Sequence, residues 1–175
     1  MSRGDSGRVV TRGTDVDERE LQAARVVGWA EQVDIPAWNI RGLKAKVDTG
    51  ARSSALHVEN LQELPHGRVR FDVRLHRKKP DRRVTVESRV VRRARVRASS
   101  GQTENRIFVR TRIEIGPYSE EIELSLVSRE KMIFRMLLGR SALRRPLLVD
   151  ASRSYLLSRA KKAKSIAPPR RPEGR

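Results

Sequence analysis

The residues of this chain with the clearest chemical potential are Asp48-Thr49-Gly50, an acid, a hydroxyl and a glycine in direct succession. They follow a run in which Leu43, Ala45 and Val47 alternate with lysines, and this period of two predicts a half-buried strand that ends at the acid. The glycine lets the backbone turn closely around the carboxylate. A carboxylate placed in this way can act as a base on water if a second carboxylate lies close enough to share its proton.

The chain offers one usable copy of this tripeptide. Asp5-Ser6-Gly7 is similar in letters, but it lies in a polar segment in which no apolar strand would hold it. A pair of carboxylates therefore requires two chains that meet at a two-fold axis, with each Asp48 beside its mate, and this predicts an obligate homodimer. The alternative interpretation is that Asp48 is a turn residue whose side chain accepts hydrogen bonds from its own backbone.

A second motif lies far downstream, where MLLGRSAL at 136–143 places an apolar pair before Gly-Arg and a short helix. VDTGA and LLGRSAL, in this order, resemble the two signatures of retropepsins, the retroviral aspartic peptidases, in which the apolar pair packs beneath the catalytic loop. Residues 113–127 resemble the hairpin that precedes the second signature, and ASSGQTEN at 98–105 occupies the position of the flap tip that closes over substrate. The resemblance covers residues 26–157 and implies an all-β fold, a closed retropepsin-like barrel with one short helix after the LLGR motif, acting as an aspartic endopeptidase.

A narrower resemblance is carried by VGWAEQVDIP, IRGLKAKVDTGARSSALHVEN and FRMLLGRSALRRPLLVD. These segments look like bacterial retropepsin-like peptidases that are often labelled ATP-dependent zinc proteases and are associated with ATP-grasp ligases, which append glutamates to proteins or peptides. The implied substrate is a glutamate-rich peptide, cut at its amide bonds.

The label itself fits the residues poorly. The chain contains no phosphate-binding G-x-x-x-x-G-K-[ST] loop, and only His57-x-Glu59 places two zinc-ligand types on one strand face. We therefore expect no cofactor and no metal, with a zinc-dependent peptidase as the third alternative.

The catalytic residues implied by these resemblances are Asp48, Thr49 and Gly50, with Thr49 expected to form a hydrogen bond across the dimer axis. The implied substrate-binding residues are Ala51, Arg52, Ser53, Ser100, Gly101, Gln102, Arg106 and Arg140. The first group supplies the acid and its rigid loop, and the second surrounds the cleft.

One departure from viral retropepsins concerns charge. Those enzymes carry carboxylates where this chain has Arg52 and Ser53, so Arg140 loses its usual acidic partner and two guanidinium groups are expected near the cleft. Guanidinium forks match carboxylates bidentately, and the alternative for Arg52 is a solvated loop charge. Because Ala51 replaces the serine common in cellular aspartic peptidases, activity is expected to extend to near-neutral pH.

The composition predicts an anionic partner. The 175 residues include 39 Lys and Arg against 21 Asp and Glu, a formal net charge of +18, and this surplus attracts anions. The aromatic residues are few and scattered, which disfavours nucleic acid, and a non-catalytic basic β-barrel that binds RNA or ribosomes is the rival interpretation. The chain has no Cys, which excludes disulfides and thiolate metal sites. It has no signal-like apolar segment and no run long enough to cross a bilayer, which predicts a cytoplasmic protein without membrane contact.

The patterning predicts one folded domain over residues 23–158, between a flexible tail at 1–22 and a basic, disordered tail at 159–175. Tyr155-Leu156-Leu157 is expected to form a strand at the dimer interface. Helical signals are confined to 61–64 and 141–145.

A period of two predicts most of the strands. They fall at 68–76, 106–115 and 121–126, with a first hairpin around Ala37-Trp38-Asn39. In the strand at 106–115, Phe108 is expected on the outer face together with Arg106 and Arg110.

Overall fold

The computed structural model describes residues 24–76, 82–97, 101, 103–128, 133–143 and 147–163, and most of them form strands. The strands are β1 Arg25–Gly28, β2 Ala30–Ile35, β3 Ile40–Val47, β4 Ser54–His57, β5 Glu59–Leu64, β6 Arg68–Arg74, β7 Arg83–Arg97, β8 Thr103–Ile115, β9 Tyr118–Val127, β10 Met136–Leu138 and β11 Leu147–Asp150. Within these ranges one α-helix, α1, runs Leu156–Ala163, and short 3₁₀ helices occupy Pro36–Trp38 and Arg140–Ala142.

Six strands close into a barrel in the order β2-β3-β10-β4-β9-β8. The barrel closes where β2 pairs with β8, at Asp34 and Glu114. From β8 the sheet continues outward through β7, β6 and β5, while β1 pairs with β11 in a separate parallel pair. The predicted all-β closed barrel is confirmed, and the 3₁₀ helix Arg140–Ala142 follows the LLGR motif as expected.

The alternating strands bury one face each. In β6, Val69, Phe71 and Val73 have no exposed surface, and Trp38 packs edge-on against Phe71 with ring centroids 5.6 Å apart. The predicted first hairpin is β2–β3, and its turn ends at Asn39, whose φ of 53° is left-handed backbone that asparagine tolerates better than most residues. The period of two in the sequence therefore marks the faces that fill the core.

Two predicted elements are wrong. The helical signal at 61–64 is part of β5, which pairs with β6 at the edge of the sheet and is too exposed to show alternation. The strand expected at Tyr155-Leu156-Leu157 is the beginning of α1 instead, because Tyr155 has a φ of 58° and Leu156 is the first helical residue. Strand β7 is not predicted by alternation, because a register shift between Val90 and Arg92 interrupts its period.

A buried carboxylate attaches α1 to the barrel. Glu31 on β2 has no exposed surface, and its Oε1 accepts hydrogen bonds from the backbone N–H of Gly28, Leu156 and Leu157 at 2.8, 3.0 and 3.0 Å. Its Oε2 accepts from the N–H and Oγ of Ser158 at 3.0 and 2.6 Å. The first N–H groups of a helix have no intrahelical partner, and a negative charge there is favourable. Glu31 therefore satisfies the start of α1.

The helix also bears on the predicted boundaries. It includes residues 159–163, the first part of the segment expected to be a basic tail, whereas the rest of that segment and the predicted tail at 1–22 lie outside the described residues. None of the helices in the described ranges has the length and apolar character needed to span a membrane.

Candidate active site

Asp48 lies where β3 ends, with its backbone and one carboxylate oxygen fixed. Its N–H donates to the carbonyl of Leu138 in β10 at 2.9 Å. The side-chain Oδ1 accepts from the N–H groups of Gly50 and Ala51, each at 3.1 Å. The turn interpretation predicts these two bonds as well, so the chemistry depends on Oδ2. That oxygen has no hydrogen-bond partner in the described part of the chain, which leaves it available to a reacting group or a second carboxylate.

Strand β10 joins the two sequence motifs. It pairs parallel with β3 and antiparallel with β4, so it lies between the strands that flank the Asp48 loop. Just after β10, the N–H of Arg140 donates to the carbonyl of Ala51 at 2.9 Å, and the N–H of Ser141 donates to that of Arg52 at 3.0 Å. The second motif therefore holds the loop between β3 and β4 in place, which is a physical reason for the two motifs to occur together.

The side chain of Arg140 braces the same loop. Its Nη1 donates to the carbonyl oxygens of Thr49 and Gly50 at 2.9 and 3.1 Å. These two carbonyl oxygens accept hydrogen bonds from the arginine that lacks the acidic partner present in viral retropepsins. A role for Arg140 in substrate binding stays a prediction and would use its other guanidinium nitrogens.

Gly139 permits the closest contact between the motifs. A Cβ at this position would lie 2.6 Å from the carbonyl oxygen of Ser53, and the Gly139 N–H donates to Ser54 Oγ at 3.1 Å. We expect Gly139→Ala to lower the free energy of unfolding by about 2–3 kcal/mol, because only backbone shifts could relieve the overlap. Urea denaturation measures this loss.

Gly67→Ala is the control for that substitution. Gly67 has a left-handed φ of 67°, but a Cβ there would meet nothing within 4 Å. Its cost should be confined to backbone strain, about 1 kcal/mol. A loss for Gly139→Ala no larger than that for Gly67→Ala would show that the contact is not tight.

A cleft of ≈ 680 Å³ adjoins the loop on the side of Arg52 and Ser53. These two predicted substrate-binding residues line it together with Ser141. Strands β7 and β8 contribute the arginines Arg92, Arg95 and Arg110. Asp48 is not among the described lining residues, so the cleft adjoins the Asp48 loop at Arg52 and Ser53 without enclosing the carboxylate.

The three arginines on β7 and β8 were missed by sequence reasoning. On β8, Arg110 belongs to an alternating row that is typical of a solvent-exposed face. The usable signal is Phe108 in the same row. It was expected on the outer face, but it is 1% exposed because the Arg92 guanidinium covers its ring, with Cζ 3.5 Å from the centroid. Phe108, an aromatic residue within a row of arginines, thus indicates a position where an arginine packs over a ring.

The predicted flap tip connects β7 and β8. Their pairing extends to Arg97 opposite Thr103, so residues 103–105 of the predicted tip at 98–105 belong to β8. Gly101 is exposed and has a φ of 84°, a conformation that suits glycine in a tight turn. Ser100 and Gln102, also predicted to bind substrate, lie outside the described residues.

Arg106, the remaining predicted substrate-binding residue, lies apart from Arg52. Its side chain is mostly covered and its Nη2 is 3.1 Å from a carboxylate oxygen of Glu104. It lines a second cleft, together with Glu63 and Arg93, on the side of the hairpin near β5. The structure therefore does not bring Arg106 into the cleft beside the Asp48 loop.

His57 and Glu59, the pair with zinc-ligand chemistry, are joined to two arginines. His57 Nε2 lies 3.5 Å from Glu59 Oε1, and the same oxygen lies 3.0 Å from Arg74 Nη2. Burial lowers the pKa of His57, and the charges on Arg135 and Arg74 act in the same direction. No group of three or more metal-ligating side chains occurs within the described ranges. A cation at His57 would meet two guanidinium groups, so these residues do not fit a zinc site.

The lowered pKa of His57 predicts acid-sensitive stability. Between the lowered pKa of the folded protein and the ordinary value of 6.5, His57 is neutral in the folded protein but protonated in the unfolded chain. The contribution of His57 to the free energy of unfolding is therefore complete above pH 6.5 and is lost as the pH falls through the folded pKa. Urea denaturation between about pH 7.5 and about pH 5 measures this decline. His57→Gln should flatten it, while the same substitution at the exposed His66 should not. An unchanged slope in His57→Gln would assign the decline to other groups.

A closed six-stranded barrel, with a carboxylate loop held by a Gly-Arg segment, defines the class of retropepsin-like proteins. Residues 26–160 match the RimB-like family model, described as retropepsin-like aspartic endopeptidase RimB, and the chain belongs to this family. The matched residues include both sequence motifs, and the family resemblance found in the sequence is confirmed.

Curated relatives carry a different name. The chain is 35% identical over 135 residues to a probable alpha-L-glutamate ligase of Shewanella halifaxensis, with 75% of this chain and 30% of the relative covered. It is 37% identical over 135 residues to a protein of the same name from Parasynechococcus marenigrum, with 75% of this chain and 29% of the relative covered. The chain thus spans about 30% of the length of these relatives.

A solved structure supports the fold. The Legionella pneumophila protein Lpg0085, whose function is unknown, aligns with a TM-score of 0.62 and 25% sequence identity. The alignment covers 74% of this chain and 95% of that protein. The barrel described here is therefore similar to nearly the whole of the Legionella protein.

Proposed function

We propose that this chain is a homodimeric aspartic peptidase that hydrolyses amide bonds in glutamate-rich peptides. The observation that carries the proposal is the state of Asp48 in a member of an aspartic endopeptidase family. One of its oxygens is held by two backbone N–H groups at the end of a buried strand, and the other has no partner in the described structure.

The chemistry requires two copies of Asp48. Two carboxylates a few ångströms apart cannot both be ionised, so they share a proton. The ionised one takes a proton from a bound water, which attacks the substrate carbonyl, while the protonated one donates to the carbonyl oxygen. Thr49 and Gly50 are exposed in the single chain, which leaves this surface open to a second copy. The two-fold axis would then pass between the two loops.

The charge of the chain supports an acidic substrate. The net charge of +18 favours the approach of anions, and Arg52 places a guanidinium on the rim of the cleft directly after the loop. The relatives that share a similar segment are named glutamate ligases, and a peptidase of this family would break the kind of amide bond that such a ligase forms. We therefore take the substrate to be a glutamate chain.

The test is incubation with an oligo-glutamate peptide, read by mass spectrometry. The protein should release shorter glutamate peptides, should leave a length-matched oligo-glutamine peptide intact, and should retain its activity with a chelator present. Cleavage of both peptides at the same rate would contradict a preference for acidic substrates. Loss of activity with the chelator would favour the metallopeptidase, and absence of cleavage with salt-sensitive RNA binding would favour the basic RNA-binding barrel.

A further inference from the structure

The cleft beside the Asp48 loop has its charges ordered along its length. Strand pairing puts Arg95 nearest the hairpin tip, with Arg92 and Arg110 farther from the tip along the same hairpin. Glu120 and Glu121 lie beyond them, toward the β8–β9 turn. The described lining contains four arginines against three glutamates, with Arg95 at the end nearest the hairpin tip and Glu120 and Glu121 at the end nearest the turn.

The third glutamate holds two of these arginines. Glu123 Oε2 lies 2.8 Å from Arg92 Nε, and its Oε1 lies 3.0 Å from Arg110 Nη2. Hydrogen bonds from Arg92 and then Arg110 hold the pKa of Glu123 below its usual value, so it stays ionised. Arg92 also covers the ring of Phe108, and its position is therefore set on two sides. Two guanidinium groups on one carboxylate leave a net positive charge at the middle of the cleft.

Arg52 and Arg95 add charges that are not held in ion pairs within the described ranges. Both side chains are exposed, and neither has an ion-pair partner in the part of the chain that the structure describes. In a concave site such charges reinforce one another, and guanidinium forks bind carboxylates through two parallel hydrogen bonds. Arg52 is four residues after Asp48, so a ligand held there lies next to the catalytic loop.

The cleft is better suited to a peptide than to nucleic acid. Single-stranded nucleic acids bind proteins by stacking bases on aromatic rings, and Phe108, the aromatic residue of the described lining, is already covered by Arg92. Glu120 and Glu121 repel any polyanion at their end of the cleft, so the ligand is confined to the cationic part, which a short acidic peptide can occupy.

We infer that this cleft is a specificity subsite in which Arg52, Arg95 and Arg110 bind the side-chain carboxylates of an acidic peptide. The inference rests on the proposed function for the reaction at Asp48, but binding in the cleft is a separate property. Glu120 and Glu121 limit the subsite at its other end, because they repel further carboxylates.

Binding of a fluorescent oligo-glutamate peptide, measured by anisotropy, tests the subsite. The protein carries Asp48→Asn throughout, so that the peptide is not consumed. Arg52→Ala, Arg95→Ala and Arg110→Ala should each raise Kd about tenfold. Arg89→Ala is the matched control, since Arg89 is exposed on the same strand as Arg92 and Arg95 but outside the described lining, and it should change Kd less than about twofold. Glu121→Gln removes a repelling charge and should lower Kd.

Several outcomes would overturn the subsite. Equal losses in Arg89→Ala and in the cleft variants would mean that net charge alone attracts the peptide. Undetectable binding of oligo-glutamate, or its displacement by an RNA of equal charge at lower concentration, would reject an acidic peptide as the ligand. Failure of the proposed function has a different signature: the differences between variants persist in binding, while the protein with Asp48 intact cleaves no peptide. Urea midpoints of each variant show that the fold is retained.

Discussion

Asp48→Asn is expected to abolish hydrolysis of oligo-glutamate, with a loss of about 10³-fold or more, while the barrel stays folded. Asparagine has the shape of aspartate, and its side-chain oxygen can still accept the hydrogen bonds from Gly50 and Ala51. The loop should therefore keep its conformation. What disappears is the ionisable oxygen that the reaction needs, because an amide can neither take a proton from water nor share one with the partner carboxylate.

The measurement combines initial rates by mass spectrometry with sedimentation of both proteins. Asp34→Asn is the matched control, since Asp34 Oδ1 also accepts a hydrogen bond from a glycine N–H, that of Gly42 at 2.7 Å, in the β2–β3 hairpin. Its activity should stay close to that of the parent. Asp48→Asn should sediment as the dimer, because the substitution removes no side-chain bulk. Cleavage by Asp48→Asn at the parent rate would end the two-carboxylate mechanism, and equal losses in both variants would make the effect structural.

The acid sensitivity expected from His57 constrains where such an enzyme can work. Catalysis by aspartates is compatible with acidic conditions. A neutral histidine buried beside Arg74 and Arg135, however, lowers the free energy of unfolding at pH values where the unfolded chain binds a proton and the folded protein does not. The sequence expectation of near-neutral activity, drawn from Ala51, is compatible with the decline in stability that the lowered pKa of His57 predicts below about pH 6.5. Two unrelated positions favour the same working range.

The parts of the fold that could be predicted are the strands with one buried face and one solvent-exposed face. The alternation in β3, β6 and β8 is the direct result of such burial, and it also locates Asp48 at a strand end, whereas residues 124–127 of β9 are buried on both faces. The MLLGR segment is informative for another reason. Gly139 must approach the backbone of Ser53 closely, so its neighbours in sequence mark a fixed contact with the loop.

The parts that could not be predicted depend on contacts between distant segments. Arg92 and Arg110 resemble solvated charges until β9 brings Glu123 between them. Strand β7 contains a register shift and β5 is an exposed edge, so neither has a clear period. Glu31 lies on the same face of β2 as the fully buried Val33, and the burial of a carboxylate there becomes understandable only when α1 is placed on it.

Glu31→Gln is expected to lower the free energy of unfolding by about 3 kcal/mol or more. The carboxylate accepts five hydrogen bonds, from the N–H of Gly28, Leu156 and Leu157 and from the N–H and Oγ of Ser158. A glutamine would direct an NH₂ group at some of these donors. The buried donors left without an acceptor would then carry the free-energy penalty of desolvation without a hydrogen bond to offset it. Glu63→Gln, which changes an exposed ion pair with Arg93, should cost at most about 1 kcal/mol.

Hydrogen exchange can then show how far the effect of Glu31 reaches. Glu31 on β2 pairs with Ala45 on β3, the strand that ends at Asp48, so a disturbance at Glu31 has a short route to the Asp48 loop. The amides of Leu156–Ser158 should lose protection first, because they donate directly to the carboxylate. If β3 amides also lose protection, α1 is part of the barrel's cooperative unit and supports the Asp48 loop from behind. A stability loss below about 1 kcal/mol with α1 amides still protected would contradict the role assigned to the buried carboxylate.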